Sequence, residues 1–425
     1  MKKKMRTLLV WILVSIILQF GGYSLLNKQM ERVLGNSGTD SQPPITTELQ
    51  ATIPGSGLSN IQVSYAKDYA AYMDNNVLKV FNLKKGNVVF EKNPSTANDQ
   101  TLGVLDYQWL PDRNILLYFY AQKNPNAVTT VKVYPAKPEV STPSISFNSE
   151  DPKQEKTVIK TSPQPKLEKR YGNSQLTELY SLELPNSDED AIPDDRLNPF
   201  ESGSKEFPAG GKIEKFVVSP VTNLMYLTVK TRSGQQLMKI DVMKKVSVLS
   251  ESQEEIDNMA ASDQYGTLYI DSKLGALQQI TAIQYDTASQ KNKRYIITKN
   301  TSDRILGVKK GKVYIGEVKN NQLVTIKTTN DLSDVKENPS LKTEWEGSIP
   351  FNPTTRAIIG ADGQIIVCDN QKAYIVRDEH LKEVVLQGDE NYCSEDGAEL
   401  IQLRKEGTST LVKLQPLEQL TQVGF

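Results

Sequence analysis

The chain has 425 residues, of which 38% are hydrophobic and 24% are charged. This composition is typical of a globular protein with one large domain or two or three smaller ones. Its 50 lysines and arginines balance 51 aspartates and glutamates, which gives a formal charge of -1. No global positive potential draws such a chain to nucleic acid, so we expect no nucleic-acid partner.

The N-terminus predicts a membrane anchor. Residues 1–6 contain four cations and precede residues 7–27, which contain no charged side chain. Roughly 20 helical residues span the hydrocarbon layer of a bilayer, so residues 7–27 are long enough to cross it once as a transmembrane helix. The positive-inside rule places residues 1–6 in the cytoplasm and everything after residue 27 outside the plasma membrane. A cleaved signal peptide is the alternative, although no A-x-A-like site follows.

Residues 28–59 predict a flexible stalk, because NSGTDSQPPITTELQATIPGSGLS (residues 36–59) is rich in Ser, Thr, Gly and Pro. The stretch YAAYMDNNVLKVFNLKKGNVVFEK (residues 69–92) follows. Its three apolar runs are separated by DNN and KKGN, which is typical of three β-strands joined by tight turns.

This strand-turn-strand pattern occurs seven times. From the third copy onward the copies are 38 to 50 residues apart, measured at the first apolar residue after each turn. Repeats of about 40 to 50 residues with three or four strands each are typical of a β-propeller, in which one repeat forms one blade. We therefore predict an all-β fold, a seven-bladed propeller over residues 60–425, with six or eight blades as alternatives. The seven marker positions are Leu78, Leu179, Leu237, Ile280, Leu323, Ala373 and Leu411.

Ring closure needs one further strand, because the last repeat has no convincing fourth strand after Leu417. The segment ELQATIP (residues 48–54) precedes the first blade and has the composition of a strand. It could become the outermost strand of the last blade, which would remove an exposed sheet edge.

The second repeat is interrupted. Residues 125–208 contain 11 of the 21 prolines, and this composition cannot bury enough apolar surface to order itself. We predict a disordered insertion at residues 123–170, with a net charge of +4, and an acidic loop at residues 185–211. Solvated loops are one interpretation of these segments, and a partner-docking or wall-polymer-binding arm is the other.

The run WLPDRNILLYFYAQ (residues 109–122) resembles the "S-P-D-G-x-x-L-A-Y" element of TolB-type, WD40-like propeller repeats. Degenerate versions occur at residues 217–229, 350–363 and 393–403. The Gly-His and Trp-Asp pairs of true WD40 repeats are absent. The resemblance implies a propeller and no functional residue, because such propellers support many functions.

No motif specifies a reaction, so the catalytic residues stay unknown. The single histidine, His380, is predicted to lie in a surface turn, and histidine-based triads and metal sites need that residue. GVKKGK (residues 307–312) lacks the Ser or Thr of a P-loop and is predicted to be a strand-turn-strand junction. SDEDAIPDD (residues 187–195) lacks the spacing of a calcium loop. We expect no cofactor and no metal.

The aromatic and cysteine residues leave alternatives open. Trp109 and Trp345 are expected near the starts of the second and sixth blades, either exposed to a glycan or peptide or packed between blades. Cys368 and Cys393 are expected on neighbouring blades, either as a disulfide or as two buried thiols.

Two classes of function remain. The first is a non-catalytic binding or scaffolding module at the cell surface for a protein, peptide or cell-wall glycan, which the lack of a nucleophile and base favours. The second is a carboxylate-based glycan-processing hydrolase or lyase, which needs two carboxyl groups some 5 to 10 Å apart.

Overall fold

The computed structural model describes residues 49–96, 99, 101–133, 166–352, 355–394 and 396–417. Over these residues, 30 β-strands form seven four-stranded antiparallel sheets and one two-stranded sheet. The seven larger sheets are the blades of a seven-bladed β-propeller, so the predicted fold class and blade number are confirmed.

In each of the first four blades the strands follow one another in chain order from the inner to the outer edge. Blade 1 contains β2 (Ser59–Val63), β3 (Tyr69–Asp74), β4 (Val77–Asn82) and β5 (Asn87–Lys92). Blade 2 contains β6 (Gly103–Trp109), β7 (Ile115–Lys123), β10 (Gln175–Glu183) and β11 (Asp194–Asn198). Blade 3 contains β12 (Lys212–Val218), β13 (Met225–Thr231), β14 (Gly234–Ile240) and β15 (Val246–Val248). Blade 4 contains β16 (Glu254–Ala261), β17 (Leu268–Leu274), β18 (Leu277–Asp286) and β19 (Lys291–Thr298).

The last three blades follow the same order, apart from the outer strand of blade 7. Blade 5 contains β20 (Asp303–Lys309), β21 (Lys312–Lys319), β22 (Gln322–Asn330) and β23 (Lys342–Pro350). Blade 6 contains β24 (Arg356–Ile359), β25 (Ile365–Cys368), β26 (Lys372–Arg377) and β27 (His380–Val385). Blade 7 contains β28 (Glu390–Cys393), β29 (Glu399–Glu406), β30 (Ser409–Pro416) and, as its outer strand, β1 (Leu49–Pro54).

The hairpins between second and third strands are the turns that the sequence pattern predicts. Asn75 and Asn76 join β3 to β4 with φ of 51° and 66°, and Asn320 and Asn321 join β21 to β22 with φ of 51° and 59°. Two successive residues with positive φ form a type I′ turn, whose twist matches that of the flanking strands. The seven marker residues each lie in the third strand of a different blade, which confirms the repeat.

A second turn recurs between the first and second strands. In five blades the amide at the end of the inner strand donates to the carbonyl five residues later, at 2.9 Å in each case. The runs at residues 109–122, 217–229 and 393–403 all contain this turn. In the run at residues 350–363 the Asn-Pro segment instead precedes β24, the inner strand of blade 6. The five amide-carbonyl pairs are Ser64–Tyr69, Leu110–Ile115, Ser219–Leu224, Ser262–Thr267 and Ser394–Glu399.

The hydrophobic core lies between the blades. Seven clusters of buried side chains fill the seven interfaces between neighbouring blades, one cluster to each interface. A blade is therefore stable only with a neighbour on each face, which is the arrangement that repeat proteins require.

The ring closes through β1, as the sequence analysis proposed. Its six residues pair antiparallel with β30, from Leu49 opposite Leu414 to Pro54 opposite Ser409. The stalk boundary at residue 59 is thus wrong in its last part, because the outer strand of blade 7 occupies residues 49–54.

The interruption of blade 2 contains more structure than predicted. β8 (Val128–Val133) pairs with β9 (Lys166–Tyr171) and extends the β7–β10 hairpin, so both ends of the predicted disordered segment form strands. Residues 134–165 lie outside the described part of the chain. The acidic loop also contains a strand, since β11 pairs with β10 as the outer edge of blade 2.

The predicted anchor at residues 7–27 lies outside the described residues. Within them, no helix has the length and apolar character that crossing a bilayer requires.

Ile53 provides a test of ring closure. Its side chain is fully buried in the cluster between blades 7 and 1, whereas neighbouring Thr52 is exposed. We expect Ile53→Ala to lower the free energy of unfolding by about 2–4 kcal/mol, because it leaves a cavity in that interface. Urea denaturation of the full chain, followed by tryptophan fluorescence, measures the change. The control Thr52→Ala should change stability by about 0.5 kcal/mol or less, and equal losses for both variants would contradict the packing of β1.

Candidate functional site

A cavity of about 280 Å³ lies among the inner strands of blades 1, 2, 3, 4 and 6. Four charged side chains of both signs line it: Asp106, Glu214, Lys215 and Arg356. Apart from Tyr107, the other polar lining residues carry amide side chains, which offer both hydrogen-bond donors and acceptors. These amides belong to Asn60, Gln62, Gln108 and Asn258.

β-Bulges determine which side chains face the cavity. The register of the inner strand against its neighbour shifts in each of blades 1 to 4. A bulge inserts an extra residue and redirects the side chains beside it, and bulges are frequent next to functional sites. In all four blades the residue that resumes pairing after the shift lines the cavity. These residues are Gln62, Asp106, Lys215 and Asn258.

β6 presents aromatic side chains on one face and polar ones on the other. Tyr107 and Trp109 are buried between blades 1 and 2, whereas Asp106 lines the cavity. The Trp109 indole N–H donates to the Gln62 carbonyl at 3.1 Å, and the Tyr107 hydroxyl donates to the Asn60 carbonyl. Burial raises the pKa of Tyr107 well above its ordinary value, so this hydroxyl keeps its proton. These bonds fix β6 against β2 and thereby position Asp106.

Asp106 is the titrating group of the cavity. Burial raises the pKa of its carboxyl group to about 6, although the Tyr107 amide and the charge of Lys212 oppose the rise. The cavity therefore holds a carboxyl group with a pKa of about 6, and the cations Lys215 and Arg356 line the same cavity.

Glu214 is exposed, and its carboxylate contacts side chains of its own blade, blade 3. Its carboxylate accepts a hydrogen bond from Gln235 at 2.9 Å and forms an ion pair with Lys230 at 3.4 Å. The two acidic groups of the cavity thus differ in environment.

His380 lies apart from the cavity. It is the first residue of β27, the outer strand of blade 6, where it is exposed and its Nδ1 lies 2.7 Å from the Asp378 carbonyl oxygen. The GVKKGK segment forms the hairpin between β20 and β21, as predicted. There the backbone amide of Lys310 donates to the carboxylate of Asp263 at 2.6 Å.

The carboxylates of residues 187–195 are divided among different cations. Asp190 pairs with Lys85 at 2.6 Å, and Asp195 pairs with Lys92 at 3.0 Å. Over the described ranges, no group of three or more His, Cys, Asp or Glu side chains is arranged to hold a metal ion.

Trp109 and Trp345 both pack between blades, which was one of the two alternatives. Trp109 is 4% exposed at the end of β6. Trp345 is also 4% exposed, but it lies on β23, the outer strand of blade 5, and packs against blade 6. Its predicted position near the start of blade 6 is wrong. Neither ring offers an exposed surface to a glycan.

An aromatic cage that the sequence analysis missed lies between blades 1 and 2. The Lys92 ammonium is 4.0 Å from the ring centroid of Tyr180, 5.3 Å from that of Tyr120 and 5.4 Å from that of Tyr118. Such cation–π contacts stabilise a desolvated ammonium. Because the chain's own lysine fills the cage, we interpret it as structural.

No protein-family model and no curated protein matches the sequence. Among solved structures, the chain is similar to the AfRom2 CNH domain, with 9% identity, a TM-score of 0.45, and coverage of 86% of this chain and 98% of that one. It is also similar to the β-propeller domain of Cps50 (Swd1) from Myceliophteria thermophila, with 10% identity, a TM-score of 0.43 and coverage of 85% and 97%. Dipeptidyl peptidase 4 of Porphyromonas gingivalis shows 9% identity, a TM-score of 0.41 and coverage of 77% and 45%.

The elevated pKa of Asp106 predicts a pH-dependent stability. A carboxyl group whose pKa is higher in the folded state binds protons more tightly there, so its contribution to stability falls as pH rises from about 4 through 6. We expect Asp106→Asn to be more stable than wild type by about 1–3 kcal/mol at pH above about 7, and nearly equal at about pH 4.

Urea denaturation across this pH range measures the effect. The control Glu214→Gln, at an exposed cavity position, should change stability by less than about 0.5 kcal/mol at either pH. An identical pH dependence of stability in wild type and Asp106→Asn would show that Asp106 does not titrate as described.

Proposed function

We propose that the chain is a membrane-anchored, extracytoplasmic β-propeller that binds a protein or peptide partner without catalysing a reaction. The observation that supports this most is the polar cavity to which five blades contribute. Its lining combines both charge signs with four amides and lies apart from the only histidine. Such a lining recognises polar groups by complementary hydrogen bonds and charges, which favours binding.

The cavity suits a side chain of a peptide segment better than it suits a cell-wall glycan chain. Small-molecule sites commonly measure about 300–1,000 Å³, so a cavity of about 280 Å³ lies at the low end. It admits one or two polar side chains of an entering segment. A segment with one basic and one acidic residue would complement Asp106 and Arg356.

The proposed location depends on residues 1–27, whose cations and apolar run are typical of a signal anchor. The W-x-P-D turn of blade 2 supports a TolB-type, WD40-like ancestry for the propeller.

Protease treatment of intact cells tests the location. We expect added protease to degrade the propeller while a tag fused before Met1 stays protected in the membrane fraction, because the anchor leaves the N-terminus inside. A cytoplasmic protein in the same cells serves as the control. A protected propeller would overturn the proposed topology, and release of a tag-free chain into the medium would show a cleaved signal peptide.

Photo-crosslinking tests the binding site. A photoreactive amino acid in place of Arg356, at the cavity, should capture a protein partner in intact cells. The same amino acid in place of Lys291, exposed on the outer strand of blade 4, should not. With the captured partner in hand, Lys215→Ala should weaken binding about tenfold, the effect of losing one charged hydrogen bond. Capture from Lys291 alone, capture of glycan only, or no capture from Arg356 would contradict the proposal.

The second candidate is a carboxylate-based glycan hydrolase or lyase. Asp106 and Glu214 line the same cavity, and such enzymes use an acid with a raised pKa together with a second carboxylate. Purified full-length protein would then shorten cell-wall glycan, and both Asp106→Asn and Glu214→Gln would abolish the product. That result would replace the binding proposal.

A further inference from the structure

The two cysteines of the chain meet at the interface between blades 6 and 7. Cys368 is the last residue of β25, and Cys393 is the last residue of β28. Their side chains are 6% and 4% exposed, and their Sγ atoms lie 2.7 Å apart. Closing this separation to a disulfide bond of about 2.05 Å needs only a small approach of the two sulfur atoms. We propose that Cys368 and Cys393 form a disulfide that covalently ties the closing blade of the ring to blade 6.

The surroundings of the pair favour a structural bridge. The cluster around both sulfur atoms consists of apolar side chains from blades 6 and 7, including Ile366, Leu386 and Leu400. Among the described residues no third Cys, His, Asp or Glu joins the pair in a metal-binding group. Each sulfur atom therefore has the other as its neighbour in an apolar interface. Two reduced thiols there would contribute only a weak hydrogen bond to stability.

The bridge must form before the interface is complete. Exchange requires a thiolate, whereas the contact with Cys368 and burial raise the pKa of the Cys393 thiol well above its ordinary value. In the folded ring both thiols are also shielded from a macromolecular oxidant. Oxidation consequently precedes the docking of blade 7 onto blade 6, and once docked the bridge is shielded from reductants.

A low-molecular-weight disulfide such as oxidised glutathione can serve as the oxidant that forms the bridge. One cysteine thiolate attacks the oxidant, forms a mixed disulfide and expels one glutathione thiolate. The second cysteine thiolate then attacks the protein sulfur of the mixed disulfide and expels the other glutathione. Two protein thiols lose two electrons to the oxidant, and their two protons end on two molecules of reduced glutathione.

The bridge constrains the unfolded chain more than it changes the folded one. It closes a loop containing the 24 residues between Cys368 and Cys393, and a closed loop lowers the conformational entropy of the unfolded state. It links β28, the inner strand of blade 7, to β25 of blade 6, so it opposes separation of these two blades.

Refolding tests the proposal independently of where the protein resides. Full-length chain is unfolded and reduced, refolded in reduced and oxidised glutathione, alkylated without reduction and digested with trypsin. We expect a linked pair of peptides, residues 357–372 joined to residues 383–404, and an intact mass lower than the reduced mass by two hydrogen atoms. Alkylation of both cysteines in protein that has regained its fold would overturn the proposal, whether or not the cell-surface location holds.

Stability and reduction provide a second measurement. Oxidised wild type should melt several degrees above Cys368→Ala/Cys393→Ala, and reductant should cleave the bridge in denaturant but not in buffer. The single variant Cys368→Ser, which keeps Cys393, controls for intermolecular pairing and should yield no linked peptide. Rapid reduction in buffer would contradict the buried location of the bridge, and equal melting temperatures would contradict its stabilising role.

Discussion

The antiparallel pairing of β1 with β30 is the interaction on which the rest of the structure depends. Each blade buries its two faces against its neighbours, so an open ring would leave two blades with an exposed apolar face. The six paired residues of β1 and β30 complete the outer edge of blade 7. An ion pair between Lys67 of blade 1 and Asp396 of blade 7, at 2.6 Å, also joins these two blades where the ring closes. Although burial opposes ionisation of Asp396, the Lys67 ammonium keeps the pKa of its carboxyl group below the ordinary value.

The sequence was most informative where the determinants are local. The DNN and KKGN turns, the apolar runs and the 38–50 residue spacing predicted the blades and their number, because each hairpin is specified within about 20 residues. β11 was missed for a physical reason. Its residues, DDRLN, are nearly all exposed and polar, so no alternation of apolar and polar side chains marks it as a strand.

The cavity could not be predicted in the same way. Its lining comes from segments as far apart as Asn60 and Arg356, and only the closed ring brings them together. The bulges that precede Asp106 and Lys215 depend on how the inner strand pairs with the next strand. No single residue type in the sequence predicts such a bulge. Asp106 lies next to Tyr107, so the strand that supplies the titrating carboxyl group also packs the interface between blades 1 and 2. Along β6, residues that pack the interface (Tyr107 and Trp109) alternate with polar residues that line the cavity (Asp106 and Gln108).

The direction of the closing strand has a mechanical consequence. Leu49 pairs with Leu414 and Pro54 with Ser409, so the chain before residue 49 and the chain after residue 416 leave blade 7 at the same end. Tension that pulls these two chain segments apart would load the Leu49–Leu414 pair first and then open the following pairs one at a time. This is an unzipping geometry, in which the bonds break in succession and do not share the load. A propeller tethered from its N-terminus would thus meet pulling forces at the strand that holds its ring together.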